Sequence, residues 1–279
     1  MPEKYAILGY PLKHTMSPPI HKRLFELSGK TADYDILELS QEELENNSKL
    51  LKSYRGYNIT IPHKVEIIKY LTKMDESARK YNSVNCVANT YDESIGYNTD
   101  CIGFLRALEA ENISLEGNIL LLGLGGVGRM IAVEAILHGA YLTVAVRDTD
   151  YPEAVDTAKA ISKKFNNNNI KVIRIAEISG GFNLMINATP VGMFPNIDLM
   201  PVSEDVLEHC DSVFDVIYNP VKTRLLKTAE GMGKKILGGM SMLVWQAVIA
   251  HEIWDGVVYK NEDIQKLISD MEDEVQKKF

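Results

Sequence analysis

Cysteine is scarce in this chain of 279 residues: Cys86, Cys101 and Cys210 are odd in number and show no paired spacing. That excludes a disulfide framework and a cysteine-based zinc site, and the three read as buried free thiols. Metal-ligand spacing is missing as well. His14, His21, His63, His138, His209 and His251 show no metal-ligand spacing with carboxylates, so no metal is expected. There is no long apolar run: the longest, Met240 to Ile253, is interrupted by Gln246, His251 and Glu252, which argues against a membrane span. Met1-Pro2-Glu3-Lys4 leads into an apolar stretch too brief for a signal-peptide core, and the expectation is a cytoplasmic protein. No Lys/Arg cluster offsets the net charge of −8, which disfavours nucleic acid and anionic membrane as partners. An anionic small substrate therefore needs local donors.

What the chain does have is enough apolar material, 46% of its residues, for about two ordinary cores. Its most informative stretch is Leu115 to Asp148. The run Ile119-Leu120-Leu121-Leu122 predicts a buried strand, Gly123-Leu124-Gly125-Gly126-Val127-Gly128 a tight turn, and Met130 to Leu137 a helix ended by His138-Gly139. A second β-branched run, Tyr141 to Val146, stops at Arg147-Asp148. The whole is a βαβ unit. Gly123, Gly125 and Gly128 carry the dinucleotide fingerprint, in which glycines let backbone N–H groups approach a pyrophosphate at the positive end of the following helix. The end of the second strand meets the adenosine ribose, and there the sequence is mixed. Arg147 suits a 2′-phosphate, whereas Asp148 suits a free 2′-hydroxyl.

Before this unit, Tyr5 to Gly9 predicts a first strand, followed by His14-Thr15-Met16-Ser17-Pro18. Pro18 suits a first helical turn, which makes Ser17 a candidate N-cap, although Thr15 and Ser17 could also point two hydroxyls at one anion. Gly56 to Lys64 reads as a strand ending at Pro62, with Asn58 and Thr60 on one face and Lys64 at the carboxyl end, where ligand crevices lie in open α/β sheets. Ser83 to Thr90 is β-like but interrupted by Asn85 and Asn89, amides that need partners if buried. In Asn98-Thr99-Asp100, the plain reading of Asp100 is a cap on the helix that follows. Beyond the βαβ unit, strands ending in loops of Asn, Gly and Pro alternate with helices: Leu184 to Asn187, Val213 to Pro220 and Lys235 to Leu237, after a helix from Pro152 to Phe165. That succession predicts a doubly wound parallel sheet. From Gly238 the chain reads as helical to its end, with Met242, Val244 and Trp245 as core and Gln246 as an amide in need of a partner.

Taken together these segments resemble the shikimate dehydrogenase family over essentially the whole chain. The matches are Gly9-Tyr10-Pro11 with His14 to Pro18, Tyr57 to Lys64, Val84-Asn85, Asn98 to Phe104, Gly123 to Gly128, Asn187-Ala188-Thr189, Asp215 to Pro220 and Gly239 to Ala247. The resemblance implies two α/β domains: a substrate-binding catalytic domain of residues 1–101 plus 243–279, completed by returning C-terminal helices, and a Rossmann-type NAD(P)-binding domain of residues 102–242. It implies that Lys64 and Asp100 form the catalytic pair, and that Thr15, Ser17 and Tyr218 receive a substrate carboxylate. Asn58, Thr60, Asn85 and Gln246, with Asp100, would meet ring hydroxyls. For the cofactor it implies Gly123, Gly125, Gly126, Val127, Gly128, Arg147, Asp148, Asn187, Thr189, Val216 and Gly239. The implied reaction is reversible NADP-linked reduction of 3-dehydroshikimate to shikimate, by a monomer or homodimer in aromatic amino acid biosynthesis.

Three departures from the family pattern stand out. Thr15 replaces the more usual serine, and Cys86 follows Asn85 where threonine is usual. The familiar Asn-Arg-Thr reads Val146-Arg147-Asp148, followed by Asp150 and no second base. Carboxylates repel a 2′-phosphate, so an NAD-linked quinate/shikimate dehydrogenase is the alternative. A non-catalytic dinucleotide sensor is the reading from another class, and it would not need Lys64, Asp100, Asn85 and Gln246 together.

Overall fold

The computed structural model describes residues 3–12 and 15–278; His14, the first residue of one matched motif, lies outside them. In chain order the elements are β1 (Glu3–Gly9), α1 (Ser17–Leu27), β2 (Ala32–Glu38), α2 (Gln41–Asn47), β3 (Gly56–Ile59), α3 (His63–Glu66), β4 (Lys73–Met74), α4 (Glu76–Tyr81), β5 (Cys86–Asn89), β6 (Ser94–Tyr97) and α5 (Thr99–Ala110). There follow β7 (Gly117–Leu122), α6 (Gly126–Leu137), β8 (Ala140–Val146), α7 (Tyr151–Phe165), β9 (Ile170–Arg174), β10 (Phe182–Asn187), α8 (Glu204–Glu208), β11 (Cys210–Asp215), α9 (Arg224–Gly231), β12 (Lys235–Gly238), α10 (Gly239–Asp255) and α11 (Asn261–Lys278). The chain divides into two compact units, Met1–Gly103 with Leu243–Met271, and Phe104–Met242 with Glu272–Phe279.

The first unit is built on a mixed sheet in the order β2-β1-β3-β5-β6-β4. β1 pairs in parallel with β2 and β3, while β5 runs antiparallel to β3 and β6. One face packs Leu8, Leu44, Tyr57, Ile67 and Val84; the other packs Tyr5, Phe25 and Cys86 against Ala250 and Trp254 of α10. Trp254 is what ties the late helix to the early sheet. Its indole N–H donates to the Val87 carbonyl at 2.8 Å, and its ring lies so close over Gly56 that an added Cβ would stand 2.2 Å from the indole nitrogen. All three cysteines are free and buried.

The second unit is a wholly parallel sheet in the order β12-β11-β10-β7-β8-β9. Ile119 to Leu122 in β7 are each fully buried, as a central strand covered by helices on both faces requires. Reversal of strand order at β7 and β10 creates the switch point beside which ligands bind in such sheets. Among the described residues no helix is long and apolar enough to cross a membrane, and no group of three His, Cys, Asp or Glu could hold a metal ion.

Candidate active site and dinucleotide cradle

In the first unit β3 ends at Ile59, and the chain turns through a cis Ile61–Pro62 bond into the short helix α3, which carries Lys64. The lysine backbone is held on both sides. The buried His63 ring bonds the Leu39 carbonyl at 2.6 Å, and the Lys64 carbonyl accepts from Val84 N–H at 2.8 Å. That second bond sets Lys64 beside Asn85. The ammonium donates to Asp100 Oδ2 at 2.7 Å, and Asn85 Nδ2 donates to the other oxygen of the same carboxylate at 2.8 Å. Asn85 is itself locked: its Oδ1 accepts from Thr99 N–H at 2.6 Å, and its Nδ2 also reaches Thr99 Oγ1 at 3.0 Å. Asn85 is 3% exposed, while the lysine and aspartate side chains retain 27% and 18% of their surface. The pair is thus positioned by a buried asparagine while both its side chains keep some exposed surface.

Five other expected residues, Asn58, Thr60, Thr15, Ser17 and Gln246, belong to the same unit. Asn58 is buried, its Oδ1 accepts from the Tyr34 hydroxyl at 2.8 Å, and its Nδ2 has no partner among the described residues. Thr60 follows β3, and Thr15 and the buried Ser17 stand at the start of α1. Gly103, one turn beyond Asp100, lies against α10 so closely that a Cβ there would sit 2.7 Å from the Gln246 backbone nitrogen. Gln246 Nε2 finds its partner locally, in the Leu243 carbonyl at 2.7 Å.

Two capping expectations are overturned. Ser17 is already the first helical residue, because the helix begins one position earlier than Pro18 implies; Met16 occupies the cap, and Ser17 N–H bonds Thr15 Oγ1 at 3.2 Å. Asp100 also lies inside its helix. Asn98 accepts from Cys101 N–H at 3.4 Å in the capping role, which leaves the Asp100 carboxylate for Lys64 and Asn85. Tyr34 and Thr99, which the sequence did not single out, hold Asn58 and Asn85.

In the second unit the turn after β7 has the form a pyrophosphate needs. Gly123 adopts φ +87°, and a Cβ on Gly128 would stand 2.4 Å from the Gly123 carbonyl, so both glycines are required by backbone geometry. Gly125 and Gly126 are different: a Cβ on either would meet nothing within 4 Å. Nothing in the fold demands glycine at these two; open space at the first turn of α6 does. Gly125 caps α6 without a side-chain bond, no acidic residue stands in its first turn, and Val127 is half-buried beside them. Free N–H groups there fit an anionic diphosphate. At the neighbouring strand ends, Asn187 Oδ1 accepts from Thr189 Oγ1 at 2.6 Å, and Asn187 Nδ2 donates to Asp215 Oδ1 at 3.0 Å. Val216 N–H bonds the Asn187 carbonyl, and Gly239 packs directly on Val216, where a Cβ would stand 2.1 Å from its carbonyl oxygen. Asp215 is fully buried, and desolvation raises its pKa to about 6 against donors from Thr223, Ile217 and Asn187. Burial likewise raises the phenol of the half-buried Tyr218.

Arg147 pairs bidentately with Asp150 at 2.8 and 3.2 Å, as an exposed residue. Arg174, the last residue of β9, places its Nε 3.2 Å from Asp148 Oδ1.

A glycine-turned parallel sheet and a separate α/β unit carrying a lysine–aspartate pair define a two-domain dinucleotide-dependent oxidoreductase. A family model for the shikimate dehydrogenase substrate-binding domain matches residues 7–87. A protein of Methanocaldococcus jannaschii named shikimate dehydrogenase (NADP(+)) is 36% identical, over 94% of this chain and 96% of that one. The crystal structure of a chorismate mutase/shikimate 5-dehydrogenase fusion protein from Clostridium acetobutylicum superposes with a TM-score of 0.87 at 30% identity, covering 99% of each chain. That of shikimate 5-dehydrogenase from Thermus thermophilus in complex with NADP(H) and shikimate gives 0.84 at 28% identity, covering 96% of this chain and 99% of the other. The chain belongs to the shikimate dehydrogenase family.

Proposed function

We propose that this protein is an NADP-dependent shikimate dehydrogenase that interconverts 3-dehydroshikimate and shikimate, with the catalytic pair in residues 1–101 plus 243–279 and the cofactor in residues 102–242. The observation that carries the reading is the Lys64 ammonium, 2.7 Å from an Asp100 carboxylate that Asn85 holds in place. The cofactor, when bound, supplies a hydride to the ketone carbon. The oxygen then gains negative charge, and a cationic donor aimed at it both stabilises that charge and delivers the proton. Lys64 does this in the direction of reduction, and in the reverse direction it takes the hydroxyl proton. Asp100 keeps the ammonium aimed and accepts a substrate hydroxyl.

Neutral donors suit a polyhydroxylated ring, since a wrong substrate leaves each of them unpaired. Asn58 Nδ2, buried and without a partner among the described residues, fills that role together with Thr60 and Gln246, while Asn85 holds Asp100 beside them. Thr15 and Ser17 receive the carboxylate. Gly123, Gly125, Gly126, Val127 and Gly128 hold the diphosphate, while Asn187, Thr189, Val216 and Gly239 shape the nicotinamide end. We place the protein in the cytoplasm, as a monomer or homodimer. The test is an assay matrix of shikimate and quinate against NADP⁺ and NAD⁺, in which shikimate with NADP⁺ should give the highest kcat/KM. No shikimate-dependent reduction of either cofactor would remove the proposal. A second reading, NAD-linked turnover, is favoured by Asp148 and Asp150 on the arginines that would meet a 2′-phosphate. Higher kcat/KM with NAD⁺ would establish it.

A further inference from the structure

β8 and β9 run parallel with Val146 in register with Arg174, so Arg147, one residue further along β8, and Arg174 leave neighbouring strands at the same sheet edge. Arg174 is held from three directions. Its guanidinium carbon lies 4.2 Å from the centre of the Tyr151 ring, its Nε meets Asp148 at 3.2 Å, and its Nη1 meets Glu177 at 3.1 Å. Its side chain is still 44% exposed, against 73% for Arg147. This is the place at which a dinucleotide-binding sheet meets the adenosine ribose.

We infer that Arg174 is the second arm of a clamp for the 2′-phosphate of NADP, paired with Arg147, and that Asp148 and Asp150 occupy the two guanidinium forks until that phosphate displaces them. The inference rests on the proposed dinucleotide-dependent function and adds a residue that no motif in the chain points to. Planar guanidinium forks match phosphate oxygens as they match carboxylates, so one dianion can take over bonds now made to two aspartates. Stacking on Tyr151 fixes the plane and direction of Arg174 in advance, which reduces the side-chain entropy lost on binding. The acids also set a limit. Two guanidinium groups face Asp148, Asp150 and Glu177, so the cluster's net charge is negative, and discrimination for the phosphate comes from geometry rather than from net attraction.

The test measures binding of NADP⁺, NAD⁺ and the probe 2′,5′-ADP by titration calorimetry, on the parent protein and on the variants Arg174→Ala and Asp148→Ala. Loss of a hydrogen-bonded charge should raise the Kd for NADP⁺ and for 2′,5′-ADP by about ten- to a hundredfold in Arg174→Ala. The Kd for NAD⁺ should not change, which also reports that the variant is folded. Asp148→Ala should tighten NADP⁺ binding. A variant Arg174→Ala that leaves NADP⁺ affinity untouched, or weakens both dinucleotides equally, would overturn the inference while a parent enzyme active on shikimate keeps the proposed function. Failure of the parent protein to bind either dinucleotide would instead remove the function on which the inference rests.

Discussion

Asp100→Asn is the sharpest test of the site, because it changes charge and bonding with almost no change in shape. Asp100 accepts from Lys64 at one oxygen and from Asn85 at the other, at 2.7 and 2.8 Å. An amide has one acceptor where the carboxylate had two. Whichever way it turns, its NH₂ faces either the Lys64 ammonium or the Asn85 NH₂, and one donor loses its partner. A hydrogen bond to a charged group contributes about 1.5–3 kcal/mol net, so the aim of Lys64 should weaken by about 10- to 150-fold. The loss should appear in kcat more than in KM if Asp100 acts chiefly by orienting the proton donor. Removing a carboxylate from the first turn of α5 should cost about 0.3–1 kcal/mol of stability, a small drop in Tm that separates misfolding from misaiming. Steady-state kinetics with shikimate and NADP⁺, alongside a thermal melt, give both readouts. A kcat equal to that of the parent enzyme would refute the assigned pairing.

Three other outcomes follow from the same structure. Lys64→Ala should lower kcat by about 10²- to 10⁴-fold while shikimate still binds in a calorimetric titration, and unchanged turnover would contradict proton transfer by this residue. Gly126→Ala should fold and melt like the parent protein, since its Cβ meets nothing within 4 Å, yet lose dinucleotide affinity because the methyl stands where the diphosphate must lie; retained affinity would move the diphosphate elsewhere. His251 is buried and neutral, its pKa pushed down to about 3 by desolvation and then by the charge of Lys30. With an ordinary value of 6.5 in the unfolded chain, its contribution is complete above pH 6.5 and falls away as pH drops towards 3, at about 1.4 kcal/mol per pH unit. By pH 5 that amounts to about 2 kcal/mol. Urea unfolding at pH 7 and 5 should show this loss in the parent protein and less of it in His251→Gln, and identical slopes would exclude the histidine as its source.

The parallel half of the molecule was legible because its signals are local: an uninterrupted apolar strand, a turn whose glycines are spaced by backbone geometry, and a helix ending at His138-Gly139. The first half was harder. β4 is two residues long, and β5 and β6 are four each, too short for alternation to declare a mixed sheet. Capping went astray for a related reason. Ser17 before Pro18 and Asp100 before an apolar run both satisfy the rule, but the backbone starts each helix earlier and leaves these side chains for other work. Arg174 was beyond reach of any local rule. It stands 26 positions after Asp148 in the sequence, and only the parallel pairing of β8 with β9 brings them together. Tyr34 and Thr99 are invisible for the same reason, since each matters through an asparagine on a different strand or loop.

Two buried asparagines, Asn85 and Asn187, explain why polar residues survive inside cores that could otherwise be apolar. In each unit an asparagine accepts from a threonine with its carbonyl and donates to an aspartate with its amide: Asn85 between Thr99 and Asp100, Asn187 between Thr189 and Asp215. The amide can satisfy both neighbours in only one orientation, so it converts a strand end into a fixed direction for the loop beyond it. What differs is where the aspartate looks. Asp100 keeps 18% of its surface and faces an ammonium, so its charge is available to a reaction. Asp215 has no exposed surface; it accepts from Thr223, Ile217 N–H and Asn187, and burial raises its pKa to about 6. A carboxylate that costs stability to keep charged at neutral pH yet is bonded on every side acts on backbone rather than on substrate: it pins the loops after β10 and β11 together. One asparagine-centred motif therefore does two jobs, aiming a charge in the first unit and holding the rim of the cradle in the second.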